Sequence, residues 1–495
     1  MARPLAFRVQ PSAAVGALAA VTLASLLLRT NALGGGYWID EAISVGVASH
    51  DLGQIPGLLR QDGSPPLYYL LLHEWIALVG AGEAATRALS LLFATLAVPL
   101  SWWAGSAVFD RRTGALAAVA AAACPFLTYY AQESRMYALV AVLSILAGAS
   151  FVLAFRDGRR RHVALLWLWL ALLLYTHTWG VFLAAGMAVA ALALRREWRI
   201  SHRDAGLLVA GLLAVYLPWI PSLFFQAAHT GAPWAVRPSP LALLGVPGGV
   251  FGYLALPLLA LAVYGARGRT ADPAVRALAV TAVVGATAAW LSSQVEPAWS
   301  SRYLAVLFGP LLLALAATVS RGNRWTGVAL AGVLVVWALT GSPPEKSNVR
   351  AVAADVKPAV RPGDLVASTQ PEQVPVLDRY LPDGLVYVTP LGYVPDPRMT
   401  DWRDGLVRLR HGTAQRELEP FVAHLVAGQR VLLVTPAPGG HRSQAPWQRA
   451  VRIRTREWRA SLRSDPRLHR IELGAGSGLP GRRNSVRAEL YVVGR

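Results

Sequence analysis

Apolar runs close to 20 residues long recur through most of this chain. A helix needs about 20 predominantly apolar residues to cross a bilayer. The runs near that length cover 11–29, 86–108, 114–130, 136–155, 163–178, 180–194, 205–224, 248–266, 275–292, 303–319 and 324–341. With 54% hydrophobic and only 15% charged residues, the sequence predicts a polytopic α-helical membrane protein with about 11 spans.

Arginine clusters between the runs predict the orientation. The loops at 110–112, 156–161, 195–203, 267–276 and 321–324 all lie inside, as the positive-inside rule requires, only if the stretch 66–80 is an interfacial helix. His73 and Glu74 support that placement, because a charge at mid-bilayer costs about 2.5–3.5 kcal/mol. Residues 30–84 then form one outside loop with juxtamembrane helices at 41–60 and 66–80. The net charge of +19 therefore indicates topology and contact with anionic membrane lipids rather than nucleic acid.

Residues 342–495 differ from the membrane part in composition. Short β-rich runs at 365–368, 385–388, 431–434 and 488–493 alternate with helical stretches, which predicts a small α/β domain outside the membrane. We therefore divide the chain at 341/342. The stretch 476–481 matches a dinucleotide-binding pattern, but a strand follows it where a helix is needed. It is interpreted as a hairpin loop, and no cofactor is predicted.

Three carboxylates are predicted at the outer surface of the membrane. Asp40 and Glu41 follow an interfacial Tyr-Trp pair, and Asp62 precedes a Pro-Pro helix start near Tyr69. Acids beside aromatic residues at this depth indicate a site whose substrate lies partly in lipid and partly in water. Capping of a helix start is the alternative explanation of the adjacent pair.

Arginines at outer span ends run against the positive-inside bias and need another reason. Arg87, Arg135 and Arg302 are candidates for binding a phosphate, which their forked donors match. Pairing with nearby acids or with lipid headgroups is the alternative. His177 is either a packing residue or part of the site.

Group transfer from a lipid phosphate fits these residues. The arginines would neutralise the departing phosphate, and a carboxylate would accept the proton of the acceptor hydroxyl. Asp40 suits the general base, while Glu41 would orient Asp40, face the acceptor or cap the helix. No metal site is predicted, because the acid pair has no clear further ligand, and the single Cys124 excludes a cysteine cluster.

Five motifs in fixed order resemble the GT-C superfamily of polyprenyl-phosphate-sugar-dependent membrane glycosyltransferases, especially the protein O-mannosyltransferase/ArnT-like branch (glycosyltransferase family 39-like). They are WIDE at 38–41, DGSPPLYY at 62–69, TRALS at 86–90, YAQESRMY at 130–137 and SRYL at 301–304. The resemblance covers about 1–320. One departure is Asp62, which stands where a histidine often precedes the Pro-Pro pair.

The resemblance implies an inverting hexosyl or pentosyl transfer with Asp40 as base and arginines near the lipid phosphate. The donor is a polyprenyl-phosphate-linked sugar, with mannose as first candidate, and the acceptor is a lipid, a glycan or a protein of the cell envelope. The residues expected to bind substrate are Asp62, Tyr69, Gln132, Glu133, Tyr137, His177 and Tyr303.

Two other functions stay open. A lipid-linked-glycan transporter or flippase would also have many spans, with paired broken helices and ionisable residues near the midplane. A non-catalytic scaffold would bind its ligand through the outer domain and use the carboxylates only as helix caps.

Overall fold

The computed structural model describes residues 11–267, 272–322, 332, 346–437, 444–471 and 484–494. The helices of the membrane part are α1 Pro11–Leu28, α2 Ile39–Ala48, α3 Ile55–Asp62, α4 Leu67–Val79, α5 Glu83–Val108, α6 Arg111–Ala122, α7 Pro125–Ala131, α8 Tyr137–Asp157, α9 Arg160–Thr176, α10 Gly180–Ala193, α11 His202–Tyr216, α12 Ile220–His229, α13 Leu241–Leu244, α14 Val246–Phe251, α15 Ala255–Ala266, α16 Pro273–Val295 and α17 Phe308–Ser320. Those of the outer domain are α18 Val349–Val356, α19 Val374–Tyr380, α20 Gly405–His411, α21 Ala414–Glu417, α22 Glu419–Ala423 and α23 Pro446–Ser464.

Several helices are long and apolar enough to cross a membrane. Within the described ranges there are five such helical stretches, and a sixth if α6 and α7, which meet at a 52° bend, count as one span. The five are Glu83–Val108, Tyr137–Asp157, His202–His229, which contains α11 and α12, Pro273–Val295, and Ser301–Ser320, which contains α17. The bend follows from Pro125, which occupies the first turn of α7 and has no N–H to continue the α6 ladder. Helices α1, α10 and α15 are apolar but shorter, and the predicted span 324–341 lies outside the described residues. The number of about 11 spans therefore stays a prediction.

Helix α8 is the centre of the membrane part, with its apolar window fully buried. Ser144 on α8 donates to the Val306 carbonyl over 2.7 Å and accepts from the Gly309 N–H over 2.9 Å. A Cβ at Gly309 would lie 2.2 Å from the Ser144 carbonyl oxygen, so only glycine permits this approach of α17. The small residue Gly309 and the hydroxyl of Ser144 thus hold α8 and α17 in close contact.

The stretch 66–80, predicted as an interfacial helix, is the 13-residue helix α4. The neighbouring stretch 41–60 is not one helix, as the sequence suggested, but the two short helices α2 and α3. Helix α2 ends at Ala48, and Pro56 stands in the first turn of α3, where its missing N–H is tolerated. Asp40 and Glu41 therefore lie on a short helix that is separate from α3.

The outer domain contains a mixed six-stranded sheet. Its strands are β1 Leu365–Ser368, β2 Val386–Thr389, β3 Gly392–Tyr393, β4 Arg430–Pro436, β5 Leu468–Ile471 and β6 Val486–Val493. Their order is β3-β2-β1-β4-β6-β5. Strand β1 runs parallel to both neighbours and is buried along its whole length, as expected of a central parallel strand. The stretch 476–481 lies outside the described residues.

The outer domain packs directly on α2 and on the residues just before it. Gly46 of α2 lies so close to the domain that a Cβ there would come within 1.8 Å of the Arg398 carbonyl oxygen. Nearby, Nε2 of His50 and Oδ2 of Asp396 are 2.5 Å apart. The Tyr380 hydroxyl accepts from the Tyr37 N–H over 2.7 Å. These contacts place the domain over the carboxylates of α2.

A fully buried arginine joins the helices α1, α5 and α6. Arg29 follows α1 and donates to the carbonyls of Ala94 on α5 over 2.6 Å and of Ala121 on α6 over 2.8 Å. The last carbonyls of a helix have no partner within it, and a cation there also complements the helix dipole. Arg29 therefore acts as the C-terminal cap of α6.

We predict that Arg29→Leu destabilises the membrane part by about 1–3 kcal/mol, because buried carbonyls lose their donors. Thermal unfolding of the purified protein in detergent measures the effect. Arg196→Leu, which removes the charge of an exposed arginine, is the matched control and should unfold like the wild type. Equal unfolding temperatures for the two variants would contradict the capping role.

Candidate active site

A cavity of about 2010 Å³ opens between the membrane part and the outer domain. The start of α2, the end of α3, the α7–α8 loop, the α9–α10 turn and the segment 296–303 form the membrane-side wall. Residues of the outer domain, chiefly from α23, form the opposite wall. Loops that lie far apart in the sequence thus meet in a single chamber.

Asp40 occupies the first turn of α2 and lines the cavity. Its carboxylate is 18% exposed and forms an ion pair with Nη1 of Arg302. Arg302 lies at the start of the segment Ser301–Leu307, and its guanidinium is 5.4 Å from the centre of the Tyr303 ring. Its Nε is buried and has no hydrogen-bond partner in the described part of the chain. One donor of Arg302 is thus unused beside the carboxylate.

Arg135 is a second buried cation in the same wall. Its Nη1 donates to the Ser44 hydroxyl over 2.8 Å, to the Tyr69 hydroxyl over 3.2 Å and to the Asp40 carbonyl over 3.4 Å. Its Nε, like that of Arg302, is buried without a partner among the described atoms. Two arginines thus present unsatisfied donors beside one carboxylate, which is an arrangement suited to an anion.

Glu41 lies next to Asp40 but points away from the cavity. Its carboxylate accepts from Nε and Nη2 of Arg87, each over 2.7 Å, and from the Ser134 N–H over 2.9 Å. Arg87 also donates to the carbonyls of Leu33, over 2.7 Å, and Gly35, over 2.5 Å. The sequence predicts catalysis for Glu41 and phosphate binding for Arg87, whereas the structure places neither in the cavity wall.

The other predicted substrate-binding residues fall into two groups. Tyr69 and Gln132 do not line the cavity: Tyr69 accepts from Arg135, and Gln132 accepts from the Ala32 N–H over 2.7 Å. Those that do line it are Asp62, Glu133, Tyr137, His177 and Tyr303.

His177 is held in one tautomer by the turn after α9. Its Nδ1 accepts from the Trp179 N–H over 3.1 Å, so in the neutral ring the proton is on Nε2. The ring centre lies 5.0 Å from that of Tyr303 and 5.9 Å from that of Tyr137. His177 therefore contributes an oriented donor to an aromatic part of the wall.

Two acids of the wall have a raised pKa. Burial raises the pKa of Asp62, and the Arg135 charge opposes that shift. Burial also raises the pKa of Glu133, opposed by Lys346, whose Nζ is 2.6 Å from Oε1. Lys346 also lies 4.1 Å from the Tyr129 ring centre. Glu133 thus links the α7–α8 loop to the first described residue of the outer domain.

The residues that the outer domain contributes to the cavity were not identified from the sequence. Glu372, whose Oε1 accepts from the Trp447 indole N–H over 2.9 Å, and arginines of α23, β5 and β6 line the cavity. The signal available was the spacing of Arg452, Arg456, Arg459 and Arg463, which places them on one helical face.

Within the described ranges no cluster of three or more His, Cys, Asp or Glu residues is suited to a metal ion.

No protein-family model and no curated protein sequence matches the chain. Solved structures do match it. ArnT from Cupriavidus metallidurans bound to undecaprenyl phosphate has a TM-score of 0.61 at 16% identity, covering 87% of this chain and 94% of that one. The archaeal oligosaccharyltransferase AglB from Archaeoglobus fulgidus, in complex with an inhibitory peptide and a dolichol-phosphate, has a TM-score of 0.53 at 11% identity, covering 85% and 69%.

A third match is the arabinofuranosyltransferase AftD from Mycobacteria, with a TM-score of 0.57 at 16% identity. It covers 97% of this chain and 42% of AftD, so the chain spans less than half of that protein. These neighbours are all GT-C superfamily proteins. The resemblance seen in the sequence motifs is thus confirmed at the level of fold: this chain has the GT-C fold.

We predict that Glu41→Ala destabilises the protein by about 3–5 kcal/mol, because Arg87 is left buried without its partner. Thermal unfolding in detergent measures the loss. Glu74→Ala, which removes a carboxylate from the neighbouring α4 that makes no ion pair among the described residues, is the control. Unfolding of Glu41→Ala at the wild-type temperature would exclude a structural role for the Glu41–Arg87 pair.

Proposed function

We propose that the protein is an inverting glycosyltransferase that moves a sugar from a polyprenyl-phosphate donor to an acceptor hydroxyl. The observation that carries this proposal is the Asp40–Arg302 ion pair, which lines a large cavity of a GT-C fold. Undecaprenyl phosphate and dolichol-phosphate, named in the complexes of ArnT and AglB, support a lipid-linked donor.

The donor phosphate would compete with Asp40 for Arg302. The Nε atoms of Arg302 and Arg135 are buried and have no partner among the described residues, so a phosphate that displaces Asp40 would bind guanidinium groups that still have an unused donor. Once a phosphate oxygen accepts from Arg302, the Asp40 carboxylate loses its main partner and can accept a hydrogen bond from the acceptor hydroxyl instead. Donor binding would therefore convert Asp40 from a salt-bridge partner into a base.

The chemical step follows from that placement. The acceptor oxygen attacks the anomeric carbon on the face opposite the phosphate, forming the new C–O bond as the bond to the phosphate oxygen breaks. Asp40 accepts the hydroxyl proton, and the electron pair of the broken bond leaves with the polyprenyl phosphate. Arg302 and Arg135 would stabilise the charge that develops on the phosphate.

The remaining site residues would position these groups. Glu41 and Arg87 hold the backbone of 33–36 and thereby the start of α2, so we assign them a positioning role. Asp62, Glu133, Tyr137, His177 and Tyr303 line the chamber and would contact the sugar or the acceptor. Tyr69 and Gln132 would act through the groups that they hold.

Apolar residues give the lipid part of the donor a place. Val181, Phe182 and Leu223 line the same cavity on α10 and α12, and Val181 is 43% exposed. A polyprenyl chain would lie against them while its phosphate reaches the arginines. Mannose stays our first candidate for the sugar, and a lipid, glycan or protein of the cell envelope for the acceptor, with the outer domain on the extracytoplasmic side of the cell membrane.

We predict that Asp40→Asn lowers the transfer rate by about 10²- to 10⁴-fold, because a general base typically contributes that much. The assay offers polyprenyl-phosphate-mannose and other lipid-linked sugars to the purified protein and follows release of sugar from the lipid. Asp51→Asn, an exposed loop acid near the end of α2, is the control. Wild-type rates in Asp40→Asn would place the base elsewhere.

We predict that Arg302→Gln and Arg135→Gln each raise the donor KM by about 10- to 100-fold, because a hydrogen bond to a charged group contributes about 1.5–3 kcal/mol. Initial rates at varied donor concentration measure the change. Arg416→Gln, on the exposed side of the outer domain, should leave the donor KM at the wild-type value. An unchanged donor KM in both site variants would remove these arginines from the phosphate site.

A further inference from the structure

Helix α23 carries a row of arginines toward the cavity. Arg452, Arg456, Arg459 and Arg463 all line it, and their spacing of four, three and four residues keeps them on one face. Arg470 of β5 and Arg487 of β6 line the same wall. We call these six residues the arginine wall.

The charge of the two cavity walls is segregated. Among the described residues that line the chamber, the membrane-side wall has more acids than arginines: Asp40, Asp62, Glu133 and Glu296 stand against Arg135 and Arg302. The outer domain contributes the six arginines of the arginine wall and only two acids, Glu372 and Glu489. A strongly positive surface therefore faces the candidate base across the chamber.

The acid nearest the arginine wall is already shared by two of its members. Glu489 accepts from Nε of Arg459 over 2.7 Å and from Nη2 of Arg463 over 3.2 Å. Arg456, Arg470 and Arg487 are exposed and form no ion pair within the ranges that the structure describes. Half of the arginine wall thus presents its guanidinium groups to the cavity without compensation.

A helix surface with a purely structural role would not carry a row of arginines without compensating acids. Like charges on one face of a helix repel one another and destabilise it, and alternating acids would relieve that repulsion. The acid available on α23, Glu457, instead pairs with Arg454 and accepts from the Ala414 N–H over 2.9 Å. A ligand with several negative charges would offset the repulsion within the arginine wall.

The donor does not account for this surface. The buried Arg135 and Arg302 would already bind the single phosphate of the donor. Arg302 pairs with the Asp40 carboxylate, and Arg135 donates to the Asp40 carbonyl. The arginine wall belongs to the outer domain and continues along α23 for eleven residues, which is about 16 Å at 1.5 Å per residue. Its guanidinium groups therefore fit an extended ligand with repeated anionic groups.

We propose that the arginine wall binds the acceptor, and that the acceptor is a glycan or polyol chain carrying phosphate groups. This inference rests on the proposed transferase function, because the chain must present a hydroxyl to Asp40. Arginine offers forked donors that match a phosphate with two parallel hydrogen bonds. Neighbouring arginines of the wall are one helical turn apart, about 5–6 Å, so successive phosphates of one chain would each find a guanidinium.

The test is binding of a fluorescent oligo(glycerol phosphate) to the full-length protein in detergent, followed by fluorescence anisotropy. The triple variant Arg456→Gln/Arg470→Gln/Arg487→Gln removes three exposed, unpaired arginines of the wall. The matched control Arg410→Gln/Arg416→Gln/Arg449→Gln removes three exposed arginines of the same domain that do not line the cavity. We expect Kd to rise about tenfold in the wall variant, as lost exposed charge pairs imply, and to stay at the wild-type value in the control.

Four results would overturn the inference, and the first three come from the anisotropy experiment. The first is equal affinity for the probe in the wall variant and the wild type, and the second is an equal loss of affinity in both triple variants. The third is displacement of the probe by an oligoglutamate of the same charge as readily as by unlabelled oligo(glycerol phosphate). This third result would indicate an acidic peptide as the ligand. The fourth is that phosphatidylglycerol vesicles capture the probe-free wild type and the control variant but not the wall variant. That result would assign the arginine wall to lipid headgroups and overturn the inference.

Release of sugar from the lipid donor by the wild type distinguishes failure of this inference from failure of the transferase function on which it rests. With donor turnover present, failure of the binding test contradicts the arginine wall alone. Without turnover of any offered donor, the transferase proposal itself fails. Thermal unfolding of both triple variants checks that each is folded when its affinity is measured.

Discussion

The buried ion pair of Glu41 and Arg87 fixes the geometry on which the candidate site depends. Both oxygens of the carboxylate are used, and Arg87 also binds three carbonyls of the loop before α2. A buried pair of this kind resists change, because either partner alone would be an uncompensated charge. Since Glu41 is locked inward, its neighbour Asp40, about 100° away on the same helical turn, faces the cavity.

The outer domain forms the second wall of the site, opposite the membrane part. Its contacts at Gly46, His50 and Tyr37 set the domain against α2, and this brings α23 across the cavity from Asp40. Two electrostatic environments result: buried arginines with unused donors beside a carboxylate, and an exposed row of arginines facing them. The first suits one phosphate at the membrane surface, and the second suits a longer anion that enters from water.

The sequence was sufficient for the parts of the fold that depend on local pattern. Apolar runs located the long helices, and the β-rich runs at 365–368 and 431–434 lie in strands β1 and β4. The motifs also indicated Asp40, Arg135 and Arg302, since acids and arginines at span ends are unusual enough to need a reason. The break between α2 and α3 was missed although Pro56 signals it, because proline is tolerated in the first turn of a new helix and not in the interior of a long one.

What the sequence could not supply depends on contacts between distant segments. Glu41 and Asp40 are equivalent in the motif, and only the position of Arg87 shows that Glu41 is turned inward. Tyr69 and Gln132 are likewise polar residues of motifs whose partners, Arg135 and the Ala32 backbone, are remote in sequence. The arginines of α23 lie about 400 residues from Asp40, so no local signal related them to the same cavity.

The central claim is that a lipid phosphate displaces Asp40 from Arg302, and binding of sugar-free undecaprenyl phosphate to the purified protein tests it most directly. If the two anions compete, Asp40→Asn removes the competitor and should bind the lipid phosphate more tightly than the wild type, by about tenfold for 1.4 kcal/mol of released interaction. Equal or weaker binding in Asp40→Asn, with the protein folded, would contradict the account, because Arg302 would then not exchange its carboxylate for the phosphate.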